Sequence, residues 1–71
     1  MMMYKVGNGV IREYVHVGSN NYLAKGEVVS IHEDADGETL YTIMFDDGAT
    51  KVYTKNVMDN PRVIVTEEVI W

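Results

Sequence analysis

The chain has no cysteine, no glutamine, one proline, one phenylalanine and one tryptophan in 71 residues. Without cysteine there are no disulfide staples, thiolate metal sites or cysteine nucleophiles. Stability then has to come from packing or association, and a reducing compartment fits. Alanine and leucine together number five, whereas valine, isoleucine and threonine number 21. Side chains branched at Cβ are stiff at χ1 and suit strands, so this balance excludes a helical bundle. Long apolar runs are missing too, and the opening Met-Met-Met-Tyr-Lys carries neither a hydrophobic segment nor a small-residue cleavage site. No membrane span or signal peptide is expected. The expected setting is intracellular, cytoplasmic or nuclear, with a virion component as the variant.

Basic residues are also scarce, six against eleven acidic ones, for a net charge of -5. Such a field repels polyphosphate and anionic lipid and disfavours nucleic acid, which leaves a protein or a basic peptide as the favoured partner. With 46% apolar and 24% charged residues the composition is that of a soluble globular domain. A chain this short makes one domain, 1–71, with a core over about 10–66 and short extensions at both ends. It buries only roughly 60% of the surface its unfolded form exposes, which leaves no room for a cofactor domain, and no cofactor is expected.

Alternation of apolar and polar residues predicts five short strands. The first covers 10–17, with Ile11, Val15 and Val17 on one parity and Val10, Arg12, Tyr14 and His16 on the other. The second covers 25–32 and ends in the polar tract His32-Glu33-Asp34-Ala35-Asp36-Gly37-Glu38, which reads as a hairpin loop. The third covers 39–46, with Tyr41, Ile43 and Phe45 on one face. Asp46-Asp47-Gly48 then supplies a turn of the two-residue hairpin kind, and strand four follows over 49–55. Residues 56–60 are too few and too polar for a helix before Pro61, so a 3₁₀-like turn is expected, followed by strand five over 62–66. The tail 67–71 extends that strand or caps an open end. The expected fold is all-β, a five-stranded SH3-like, partly open barrel with Val29, Ile31, Ile43, Phe45, Val52 and Val63 as its core.

The stretches Tyr22-Leu23-Ala24-Lys25-Gly26-Glu27-Val28, Tyr41-Thr42-Ile43-Met44-Phe45-Asp46-Asp47-Gly48 and Lys55-Asn56-Val57 together resemble Tudor domains of chromatin readers. Phe-Asp-Asp-Gly is the most specific part, and the resemblance covers about two thirds of the chain. It implies a cage of aromatic rings and an acidic side chain around a methylated lysine or arginine. On that pattern Phe45 is one wall and Asp46 or Asp47 the acidic partner, while Ala24 and Ala49 stand where the family has aromatic residues. The wall that closes strand one falls near His16 or Val17, with Tyr14 as a replacement, and Tyr22 and Tyr53 are the rings available to rebuild a wall. A second SH3-like resemblance, to the small acceptor-side subunit of photosystem I, rests on Asn21-Tyr22, Gly26-Glu27-Val28-Val29-Ser30-Ile31 and Tyr41-Thr42-Ile43-Met44-Phe45.

Other chemistry is poorly served. Setting Asp36-Gly37 at the fifth and sixth places of a calcium loop puts His32 and Ile43 where carboxylates are needed. His16 and His32 lack two further zinc ligands. Ser19 and Ser30 sit in no nucleophile elbow, and Gly7-Asn8-Gly9 precedes no helix that could receive a phosphate. No catalytic residue, metal or enzymatic activity is expected. The function expected is a non-enzymatic interaction module that binds a partner protein or a basic peptide, methylated or not, through Tyr14, Tyr22, Phe45, Asp46, Asp47, Tyr53 and Trp71. The alternatives are a structural subunit of an oligomer or larger assembly, viral or otherwise, and an acidic phage or viral inhibitor of a host protein.

Overall fold

The structure is a computed structural model that describes residues 4–15, 18 and 20–69. The alternating runs form β1 (Gly9–Tyr14), β2 (Tyr22–Glu33), β3 (Thr39–Phe45), β4 (Thr50–Thr54) and β5 (Val63–Thr66). A single helical turn, α1 (Lys55–Met58), joins β4 to β5. Every pairing is antiparallel, and the ladder order is β4-β3-β2-β1-β5. The fold is therefore mostly β, but the expected barrel is not closed: β4 and β5 are the two ends of the ladder and do not pair. Helix α1 packs against β3, β4 and β5 instead.

Turn chemistry accounts for the two hairpins. In the 34–38 loop the Asp34 carboxylate accepts from the amides of Asp36 and Glu38, both at 2.9 Å, and Gly37 takes the left-handed conformation. The acidic tract is thus a self-satisfied turn. Between β3 and β4 the Phe45 amide donates to Ala49 and the Gly48 amide to Phe45, with Gly48 at φ 89°. This is a three-residue loop with glycine in the left-handed place, where a two-residue turn was expected, because no aspartate adopts positive φ. Thr54 caps α1 by accepting from the Val57 amide, which starts the turn one residue early and makes it α-helical where a 3₁₀ turn was expected.

The buried core is Val10, Val28, Tyr41, Ile43, Phe45, Tyr53, Met58 and Val63. Three of the six expected core residues belong to it. Val29 and Ile31 are only partly buried, and Val52 is 56% exposed. The corrections share a cause in pleat parity. In β4, Tyr53 lies opposite Tyr41 and Lys51 opposite Ile43, so Val52 must point out. In β2 the register shifts between Val28 and Ser30, so Val29 is an extra residue, a β-bulge. Val28 and Ile31 both face inward despite their odd separation, because Val28 lies opposite Ile43 and Ile31 opposite Tyr41. Each buried aliphatic side chain contributes roughly 1.5–3 kcal/mol.

Residues 4–8 tie the N-terminal segment down. The Tyr4 ring meets Tyr41 edge-on at 5.3 Å, and its hydroxyl donates to Asp59, which also pairs with Lys55 at 2.7 Å. Burial, then the Asp59 hydrogen bond, pushes the Tyr4 hydroxyl up to about 12. The folded state prefers the protonated phenol, so this contribution is whole below pH 10 and disappears as pH rises towards 12. Asp59 has the opposite sign: Lys55 and Tyr4 hold its carboxyl low, so its contribution is present above pH 3.8 and is lost on acidification. We expect the melting temperature to drop between pH 10 and 12 and Tyr4→Phe to flatten that drop. An equally steep drop in the variant would remove Tyr4 from the account.

Candidate functional site

Strand parity places one set of side chains on the inner face. Arg12 lies opposite Ala24 and Tyr14 opposite Tyr22 in the β1–β2 ladder, and Gly26 lies opposite Phe45 in the β2–β3 ladder. Lys51 and Tyr53 share this face from β4. In the ladder β1 and β4 are separated by β2 and β3, yet the Tyr14 and Tyr53 hydroxyls lie 3.5 Å apart and the Lys51 ammonium donates to Tyr14 at 3.1 Å. The sheet therefore curls over its inner face until β4 meets the end of β1.

The aromatic residues gather at this junction. Tyr14 and Tyr22 stack with centroids 5.1 Å apart and planes 18° from parallel, leaving Tyr22 half exposed. Tyr53 meets Phe45 edge-on at 6.2 Å. The place of a cation among these rings is already filled. The Arg12 guanidinium carbon lies 5.2 Å from the Tyr14 centroid and 5.1 Å from that of Tyr53, and the Lys51 ammonium lies 5.3 Å from Tyr14. Such contacts are worth about 0.5–2 kcal/mol each, depending on desolvation.

The phenols respond in opposite directions. Burial and the contact with Tyr14 push the Tyr53 hydroxyl up to about 12. Tyr14 is lowered, first by its hydrogen bond with Tyr53 and then by Lys51 and Arg12. The Nε of Arg12 is buried with no hydrogen-bond partner.

The residues singled out from the sequence divide into three groups. Tyr14, Tyr22, Phe45 and Tyr53 come together, although Phe45 is only 3% exposed and serves as core beneath the other rings. Asp46 and Asp47 belong to the β3–β4 turn, where the Asp47 carboxylate accepts from the Ala49 amide at 2.8 Å. Among the described residues neither aspartate forms an ion pair. Trp71, like His16, Val17 and Ser19, lies outside the described residues. Ala24 packs against the core, and Ala49 is exposed on the turn. Sequence reasoning missed Arg12 and Lys51. The signal was present in parity: Arg12 alternates with Val10 and Tyr14, and Lys51 with Tyr53.

Among the described residues no three His, Asp or Glu side chains converge to hold a metal ion, and no helix is long and apolar enough to cross a membrane. Comparison with protein-family models, with curated proteins and with solved structures gives no match to the chain.

Proposed function

We propose that the chain is a non-enzymatic protein-interaction module of Tudor-like or SH3-like type that binds a segment of a partner protein at the curled end of its inner face. The return of β5 beside β1 and the one-turn helix between β4 and β5 support that type. The observation that carries the reading is the half-exposed Tyr22 ring stacked on Tyr14 and backed by Tyr53. Rigid rings with a wet edge and a packed edge provide large contact area at small entropic cost. A methylated lysine would have to displace Arg12 to enter the rings, so simple aromatic caging of a basic peptide is the less favoured form of the reading.

Titrating the labelled chain with pools of neutral, acidic, basic and trimethyllysine-containing peptides tests it. At least one pool is expected to shift the Tyr14, Tyr22 and Tyr53 ring signals together. If every pool leaves them unmoved, the reading fails, as it does if the chain turns over general esterase, phosphatase or nuclease substrates.

A second reading, a structural subunit within an assembly, is favoured by the outer face of the sheet. Leu23 and Ile64 are 58% and 57% exposed there, and Ile64 lies opposite Ile11. Exposed apolar patches of this kind mark covered surfaces. Sedimentation across a wide concentration range decides this reading. Self-association abolished by Leu23→Glu would support it, and a monomer throughout would retire it for self-assembly.

A further inference from the structure

We infer that the curled end of the inner face is an acceptor for a carboxylate side chain of a partner peptide, with Arg12 and Lys51 as its cationic walls. This rests on the reading of the chain as an interaction module and names the chemistry of what it binds.

The inference begins with where the scarce positive charges stand. Two of the six basic residues are ion-paired, Lys55 with Asp59 and Arg62 with Glu13. Arg12 and Lys51 come from strands two positions removed from adjacency, yet both lie within 5.3 Å of the centre of one ring, that of Tyr14. Neither has a carboxylate partner among the described residues, although the chain carries eleven acidic residues. Both cations contact the same tyrosine, and among the described residues no carboxylate pairs with either. Furthermore, one donor of Arg12 is buried without an acceptor.

An incoming cation meets two cations, whereas an anion completes the set. A carboxylate approaching Arg12 and Lys51 forms charge-assisted hydrogen bonds, and the Tyr22 ring stacked beside them offers an apolar wall for the stem or neighbour of the acidic residue. The source of the anion follows from the rest of the surface. A polyanion such as a nucleic acid would meet the field of the net charge of -5 along its length. A peptide with one acidic residue between apolar neighbours places its charge at the two cations and avoids the other acids, which screening at physiological salt separates beyond about 8 Å.

The test uses the full chain and a capped peptide with a single glutamate flanked by leucines, titrated against ring and side-chain signals. Binding is expected to shift Tyr14, Tyr22 and Lys51, to weaken as salt rises, and to fall about tenfold when the peptide glutamate becomes glutamine. Lys51→Glu, on an exposed position of an end strand, is expected to produce a similar loss with the folded spectrum retained, and Lys51→Met a smaller one. The inference is overturned if the glutamine peptide binds equally well, if a trimethyllysine peptide binds more tightly, or if inorganic phosphate or an oligonucleotide displaces the peptide at equal concentration. If neutral or basic peptides move the same rings while the glutamate peptide does not, the module reading survives and the carboxylate reading falls. If no peptide moves them, both fall.

Discussion

Ile43→Ala is expected to leave a large part of the population unfolded at room temperature. Ile43 is fully buried, sits in the central stretch of β3, and has Val28 on one side and Lys51 on the other in the paired strands. Truncating a buried isoleucine to alanine costs about 2–5 kcal/mol, because the lost transfer energy is joined by the energy of the cavity. A domain of this length without disulfide or metal holds only about 3–5 kcal/mol in total, so the two quantities are of equal size. Urea titration at fixed temperature measures the loss. Val52→Ala is the matching control one strand away. Its side chain was expected in the core but points outward, so its unfolding free energy should change by less than about 0.5 kcal/mol. Equal losses in the two variants would mean that the parity of β4 is wrong.

The second large effect is expected from Gly26→Ala. Gly26 is buried in β2, and a methyl group placed there would stand 2.8 Å from Ile43 Cγ2 and 3.0 Å from both the Met44 carbonyl oxygen and Phe45 Cδ1. The carbonyl belongs to the neighbouring strand and cannot rotate away, so the strand or both side chains must move. Overpacking of this kind costs about 1–3 kcal/mol. Phe45 backs Tyr53, so the cost is expected to come with changed ring signals of Phe45 and Tyr53 in the folded fraction. A variant that melts like the parent with an unmoved Phe45 ring would show that the backbones are not this close. The same crowding explains why glycine stands opposite the one phenylalanine: the inner face closes over Phe45 by bringing β2 backbone against its ring.

Much of the fold was legible because its determinants are local. Gly37 and Gly48 hold positive φ where turns were expected, Asp34 and Asp47 satisfy amides within their own loops, and Pro61 follows the single helical turn. Strand limits agree with the alternation to within a few residues, the largest differences being the early end of β1 at Tyr14 and the early start of β2 at Tyr22. What was not legible depends on register. Nothing in Val28-Val29-Ser30 announces which valine is the extra residue, since both are apolar and β-branched and the choice is made by pairing with Ile43 and Thr42. The extent of closure of the expected partly open barrel was not legible for a related reason, since whether β4 and β5 reach one another depends on accumulated curl, and α1 packs against both. Of the site, the rings were found because aromatic residues are few and conspicuous. The two cations were not, because a basic residue in an alternating strand looks solvent-facing until the opposite strand supplies a ring.

The bulge at Val29 divides β2 into two segments with opposite rules for substitution. From Tyr22 to Val28 the even-numbered positions face inward, and Ala24, Gly26 and Val28 are limited by the space left for them. Beyond it the odd-numbered position Ile31 takes that role, and Ser30 and His32 become free. One strand thus records two tolerance patterns, and loss of the extra residue at position 29 would merge them into a single alternation in which Val28, Ser30 and Ile31 keep their partners Ile43, Thr42 and Tyr41.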